Sequence, residues 1–148
     1  MTETPDPVVA LTDEECWERL RGQELGRLVT RVGDVIDIFP VNFVVDGETL
    51  LFRTAQGSKL FELTVDENVL FEVDDHTDDD AWSVIVRGTA HALETSLEVE
   101  RADALPLRPW VPTLKYVYVR IEPTAMSGRA FARSPEPDRY GIQTYPAG

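Results

Sequence analysis

Residues 40–60 read PVNFVVDGETLLFRTAQGSKL. Two apolar runs, Val41-Asn42-Phe43-Val44-Val45 and Leu50-Leu51-Phe52, flank Asp46-Gly47. That pattern predicts a β-hairpin closed by a two-residue type I′ turn, which needs positive φ at both central positions. The second strand ends in Arg53 and Thr54. Gly57 then releases the chain into Ser58-Lys59-Leu60-Phe61-Glu62-Leu63, a short helix with Ser58 and Lys59 at its mouth. The first N–H groups of a helix lack internal partners, and the macrodipole favours negative charge there. Add a guanidinium, an ammonium and two hydroxyls, and the combination suits a phosphate. The chain carries 27 acidic residues, yet none lies between Thr49 and Phe61, so this segment escapes the prevailing negative charge. Taken singly, Arg53 and Lys59 also read as solvated surface charges, and Asn42 as a polar residue on the outer face of a strand. A lysine at a helix start is unfavourable without an anion, which weighs towards a ligand.

Outward from that stretch the chain reads as strands with few helices. Met1 to Ala10 is short and polar with two prolines, a loose arm (residues 1–10) before one domain over residues 11–133. Thr12-Asp13-Glu14-Glu15 forms a capping box, opening a helix through Trp17 and Leu20 that stops at Gly22. Leu25 to Val32 and Val35 to Val45 are strands joined by a turn at Gly33-Asp34. Pro40 inside the second strand cannot donate a ladder hydrogen bond, so it marks an edge, a bulge or a place where the ladder opens to a ligand. Asn68 to Val73 and Trp82 to Leu93 are further strands. The acidic run Asp74-Asp75-His76-Thr77-Asp78-Asp79-Asp80 lacks the glycine and distal glutamate of a calcium loop. It reads as a solvated connection, and no metal site is expected. His91 has no evident partner and reads as structural.

Thr95-Ser96-Leu97-Glu98 is a second capping box, opening a helix to about Leu105. Pro106, Pro109 and Pro112 then impose an extended passage containing Arg108 and Trp110. Lys115 to Glu122 alternates as a strand, and Ala125 to Phe131 extends the sheet with Gly128 as a bulge. Residues 134–148, with Pro135, Pro137 and Pro146, form an extended tail able to lie over a neighbour through Tyr140, Ile142 and Tyr145. Six or seven antiparallel strands in a lone twisted sheet tend to curl and close, removing their edges. The fold class is therefore mainly β with a minor α+β character: an antiparallel six- to seven-stranded barrel with an N-terminal helix and short inserted helices.

Composition narrows the function. A chain of 148 residues suits one domain. Its formal charge of −13 opposes binding to nucleic acid and to an anionic membrane leaflet. No apolar run approaches the roughly 20 residues needed to span a bilayer, and the first residues lack a signal-peptide pattern. Cys16 is the single cysteine, which fits a reducing cytoplasm. Asp13, Glu14, Glu15 and Glu18 surround it, and such charges raise a thiol pKa, so Cys16 reads as structural rather than reactive. No Gly-x-Gly-x-x-Gly and no βαβ alternation point to a Rossmann site.

Three segments carry a family resemblance: Gly26-Arg27-Leu28 with Pro40-Val41-Asn42-Phe43, Phe52-Arg53-Thr54 with Gly57-Ser58-Lys59, and Trp82-Ser83-Val84 with Arg87-Gly88. In that order and spacing the chain resembles the flavin-binding split-barrel family of pyridoxamine 5′-phosphate oxidase-like proteins. The likeness spans roughly Leu25 to Leu93 and is weaker to about Arg129. It implies a split barrel, FMN as cofactor, and a cytoplasmic homodimer that acts as an oxidoreductase on a small-molecule substrate. By the same resemblance Arg53, Thr54, Ser58 and Lys59 hold the FMN phosphate. Pro40, Val41 and Asn42 lie along the isoalloxazine ring, and Trp82 and Ser83 approach from the partner subunit. Trp82 reads equally as a core or interface aromatic. Same-fold proteins that bind a deazaflavin or haem, and a non-catalytic flavin module, are the alternatives. The longer C-terminal segment that binds substrate in true pyridoxamine phosphate oxidation has no clear counterpart here. No residue is identified as a catalytic acid or base.

Overall fold

The computed structural model describes residues 8–111 and 115–133; the extended tail, Pro112 and most of the N-terminal arm lie outside them. The end of that arm, Val8–Ala10, is ordered as strand β1, paired antiparallel with Phe131, Ala130 and Arg129. Thr12 then opens α1 (Asp13–Arg21). Its hydroxyl accepts the Glu15 N–H at 3.2 Å, and the Glu15 carboxylate accepts the Thr12 N–H at 3.0 Å. These bonds, the backbone one foremost, hold the Glu15 carboxyl below its usual range. The helix buries Cys16, Trp17 and Leu20 and ends at Gly22, as the sequence predicts. Burial is the main reason the Cys16 thiol is pushed up, with Asp13 and Glu15 adding to it.

The chain continues as β2 (Leu25–Val32), β3 (Val35–Asp46), β4 (Thr49–Ala55), α2 (Lys59–Thr64), β5 (Asn68–His76), β6 (Asp80–Ala92), α3 (Ser96–Asp103) and β7 (Tyr116–Ala132). Neighbouring strands run in the order β1-β7-β4-β3-β2-β5-β6, and β6 pairs back onto β7. That pairing closes six strands into a barrel, with β1 as a seventh on the flank of β7. The expected mainly β split barrel is the fold observed. Phe43, Phe52, Phe71, Val84 and Ile121 are among the side chains that fill the interior. A second apolar cluster, Leu51, Leu93, Ala102 and Tyr118, seats α3 on the outer face of β4 and β7.

Four local readings are corrected by the structure. The β3–β4 turn is centred on Gly47-Glu48 rather than Asp46-Gly47, because Asp46 pairs with Thr49. Only Gly47 has positive φ there, at 60°, which matches a type II′ turn rather than type I′. The acidic run is mostly strand: Asp74, Asp75 and His76 finish β5 and Asp80 starts β6, leaving Thr77–Asp79 as the connection. Charged side chains cost little at the exposed ends of a ladder that continues to His76↔Ala81. The bulge lies at Arg87/Gly88, opposite Pro123 and Ala125 with Thr124 as the extra residue, and not at Gly128. Gly128 is required for another reason, since a Cβ there would sit 2.6 Å from Cys16 Sγ. Finally, α3 ends at Asp103, short of Leu105.

Candidate functional site

The barrel opens along one seam. β3 pairs with β4 only from Phe43↔Phe52 to Asp46↔Thr49. Beyond that point Pro40, Val41 and Asn42 pair with β2 alone, and Arg53, Thr54 and Ala55 with β7 alone. Asp46 pairs with Thr49 across a two-residue loop, so even-numbered β3 residues direct their N–H towards β4 and odd-numbered ones towards β2. The Phe43 N–H obeys this rule, donating to the Glu24 carbonyl at 3.0 Å. Pro40 is even-numbered. Its missing N–H therefore falls on the side where the ladder has already opened, and no ladder bond is lost.

At the mouth of the seam Gly57, with φ 76°, turns the chain from β4 into α2. Ser58 caps this helix, its Oγ accepting the Phe61 N–H at 3.1 Å. The same Oγ lies 2.9 Å from Thr54 Oγ1. Two hydroxyls in mutual contact use one proton between them, so one O–H remains to be donated outward. Lys59 follows with 71% of its side chain exposed and its Nζ 3.9 Å from Asp37 Oδ2, a contact too long and too solvated to hold the ammonium.

Arg53 takes the other face of β4. Strand alternation separates it from Thr54, and its guanidinium lies over the Tyr116 ring, 4.1 Å from the centroid. Its Nε is enclosed and has no hydrogen-bond partner among the described residues. Tyr116 meets Tyr118 edge-on at 5.4 Å, and Tyr118 donates to Asp103 Oδ1 at 2.6 Å. Burial, followed by that bond, pushes the Tyr118 hydroxyl well above its ordinary pKa. On the opposite lip, the Asn42 amide donates to the Glu24 carbonyl at 3.1 Å and accepts the Trp110 N–H at 2.8 Å.

One chain thus brings together Thr54, Ser58 and Lys59, with Arg53 adjacent on the outer face and Pro40, Val41 and Asn42 across the seam. It does not bring Trp82 and Ser83 to them. Arg53 pairs with Tyr118 and Trp82 with Ala130, twelve residues further along β7, roughly 40 Å of strand path. Trp82 packs in the barrel interior, 8% exposed, with Arg19 5.6 Å from its ring centroid. Ser83 lies opposite Asp74 and Arg129.

A cleft of about 440 Å³ beside Trp82 and Ser83 is also lined by Glu72, Asp74, His76 and Arg133. Arg27 bonds Asp74 and stands 3.5 Å from Glu72 Oε1, which is enclosed without a hydrogen bond among the described residues. Burial, with Asp74 beside it and Arg27 opposing, pushes the Glu72 carboxyl up to about 7. Sequence reasoning missed this cluster and the Asn42–Trp110 clamp, since both exist only through strand register and chain crossing. Among the described residues no group of three or more acidic, histidine or cysteine side chains is placed to hold a metal, and no helix is long and apolar enough to cross a membrane.

Fold and site together define a split β-barrel with hydroxyl and cationic groups at the mouth of an open seam, suited to an anionic ligand. The chain belongs to the pyridoxamine 5′-phosphate oxidase family, whose model matches residues 12–130. It is similar to an uncharacterised protein of Mycobacterium tuberculosis, 47% identical over 96 residues that cover 65% of this chain and 87% of that one. A crystal structure from Corynebacterium glutamicum, carrying the pyridoxamine 5′-phosphate oxidase name, superposes with a TM-score of 0.80 at 45% identity, covering 89% of this chain and 99% of that one. An FAD-binding protein from Mycobacterium smegmatis superposes with a TM-score of 0.79 at 44% identity, covering 85% and 100%.

Proposed function

We propose that this chain is a flavoprotein that holds a flavin nucleotide by its phosphate at Thr54, Ser58 and Lys59, with Arg53 beside them. The observation that carries the reading is the Thr54–Ser58 hydroxyl pair at 2.9 Å, which keeps one O–H to donate beside Lys59, whose ammonium has a long, solvated contact of 3.9 Å to Asp37. Both FMN and FAD present such a phosphate. FMN is the cofactor that the family resemblance at Arg53-Thr54 and Ser58-Lys59 implies, while the M. smegmatis relative, at 44% identity, favours testing FAD alongside it. Pro40, Val41 and Asn42, on a lip freed from β4, would meet the ring by backbone and side chain. Trp82 and Ser83, too distant within one chain, would reach it from the partner subunit of a homodimer.

Flavin supplies the redox chemistry when bound, as hydride or electron transfer, and the protein supplies anchoring, orientation and exclusion of water. The reaction class is therefore oxidoreduction of a small molecule in a reducing cytoplasm, testable as turnover with a reduced nicotinamide. Binding is tested first. Protein purified or reconstituted with FMN should show flavin absorption and bind FMN and FAD at least tenfold more tightly than riboflavin, because a charged hydrogen bond contributes about 1.5–3 kcal/mol. Equal affinity for riboflavin would sink the phosphate assignment.

A further inference from the structure

Among its described residues, the passage between α3 and β7 is tied to the barrel at several places, its Lys115 carbonyl accepting the Gln56 N–H at 3.3 Å. Leu105 and Leu107 pack against the cluster under α3, and the Trp110 N–H is held by Asn42 Oδ1 at 2.8 Å. Asn42 is itself fixed, its amide donating to the Glu24 carbonyl. An asparagine that spends both ends of its amide on backbone groups of two separate segments is a clamp. Asn42 also stands where β3 parts from β4, so the clamp places Trp110 at the lip of the open seam.

The backbone there is held, while the ring is exposed. Trp110 is 62% exposed and Val111 76%, whereas Trp17 and Trp82 are each 8% exposed. An indole fixed at its backbone and left in water has only two side-chain torsions to lose when it stacks, so it can cover a flat ligand at low entropic cost. Across the seam, past the end of the β3–β4 ladder at Phe43↔Phe52, stand the Thr54 and Ser58 hydroxyls and Lys59, with Arg53 on the outer face of β4. A ligand that spans both must carry a planar aromatic ring and a phosphate.

We propose that Trp110 is a ring-binding residue of the site, closing over the aromatic system of a flavin whose phosphate lies at Thr54 and Ser58. The assignment rests on the flavin reading above and adds to it a residue that recognises the ring rather than the phosphate. Asn42 is then a positioning residue that acts through Trp110.

Riboflavin, which has the ring but no phosphate, separates the two contributions. Full-length wild-type protein, Trp110→Ala, Trp110→Phe and Thr54→Ala are titrated with FMN and with riboflavin, with melting and light scattering of each variant before ligand is added. Trp110→Ala should weaken both ligands by a similar factor, about fivefold or more from the loss of one aromatic stacking contact, and Trp110→Phe should recover most of it. Thr54→Ala should weaken FMN alone. In the wild-type protein, bound riboflavin should also shield the exposed indole from acrylamide quenching. Wild-type affinity for both ligands in Trp110→Ala overturns the assignment, as does a loss confined to FMN. A Trp110→Ala protein that changes oligomeric state before ligand is added also overturns it, placing the indole between subunits. A wild-type protein that binds neither ligand sinks the flavin reading itself, and this inference with it.

Discussion

Glu72 is the residue whose ionisation should be felt in stability. Its carboxyl is pushed from 4.5 up to about 7 by burial and by Asp74, against the pull of Arg27. Between those two values the folded chain keeps a proton that the unfolded chain has released, so stability falls as pH rises. The protonated carboxyl's contribution is complete below about pH 4.5 and is lost by the time pH has passed about 7. Glu72→Gln removes the titration. Its melting temperature should gain on wild type between pH 5 and pH 8 by a few degrees, given about 2–4 °C per kcal/mol in a chain of this size. A gap that stays constant with pH would show that Glu72 does not titrate in this window. The cluster was illegible in the sequence because Arg27, Glu72 and Asp74 meet only once β2 and β5 are in register. Thr54 and Ser58 were legible because four residues and one glycine turn bring them together. Arg53 was half legible: its place beside the cradle follows from sequence, but its contact with Tyr116 depends on β7.

At the scale of elements, local chemistry predicted what local chemistry controls. The capping box at Thr12, the strand spans of β2 and β3 and the arrest of α1 at Gly22 are all present. Local readings failed at the Gly47-Glu48 turn and at the end of α3; two further failures are long-range. β1 is three residues whose pairing is decided entirely by β7, so nothing in Val8-Val9-Ala10 distinguishes it from an arm. Gly128 resembled a bulge, yet it is glycine because α1 presses Cys16 against β7 at that point. Gly128→Ala should accordingly destabilise the protein by about 1–3 kcal/mol, the range for overpacking. Cys16→Ala makes room for the added methyl, so the double variant should be more stable than the sum of the two single losses predicts. Contacting residues couple in this way, distant ones do not. Strict additivity in chemical denaturation would mean that α1 and β7 are not in the contact described.

At the scale of the whole molecule, the register along β7 sets Trp82 and Ser83 apart from the seam of their own barrel. Trp82 and Tyr118 are absorbed within one chain, at 8% and 5% exposed. Besides Trp110, apolar surface is left uncovered on β3: Ile36 and Ile38 are 65% and 61% exposed, on the face that also carries Pro40 and Asn42. Alternation places all four outward, so the apolar patch runs continuously into the candidate ring-binding lip. Obligate interfaces are apolar at their centre and depleted of charge. A homodimer through this face would cover the patch and could bring the partner's Trp82 and Ser83 to the seam. Ile38→Glu tests the arrangement without disturbing the interior, because an exposed substitution usually changes stability by less than about 0.5 kcal/mol. Light scattering should show wild type as a dimer and the variant as a monomer, and flavin affinity should fall together with dimerisation while apo-protein melting stays near wild type. If wild type were monomeric with flavin fully bound, the site would be complete in one chain, and the separation of Trp82 from Arg53 along β7 would then exclude Trp82 from it.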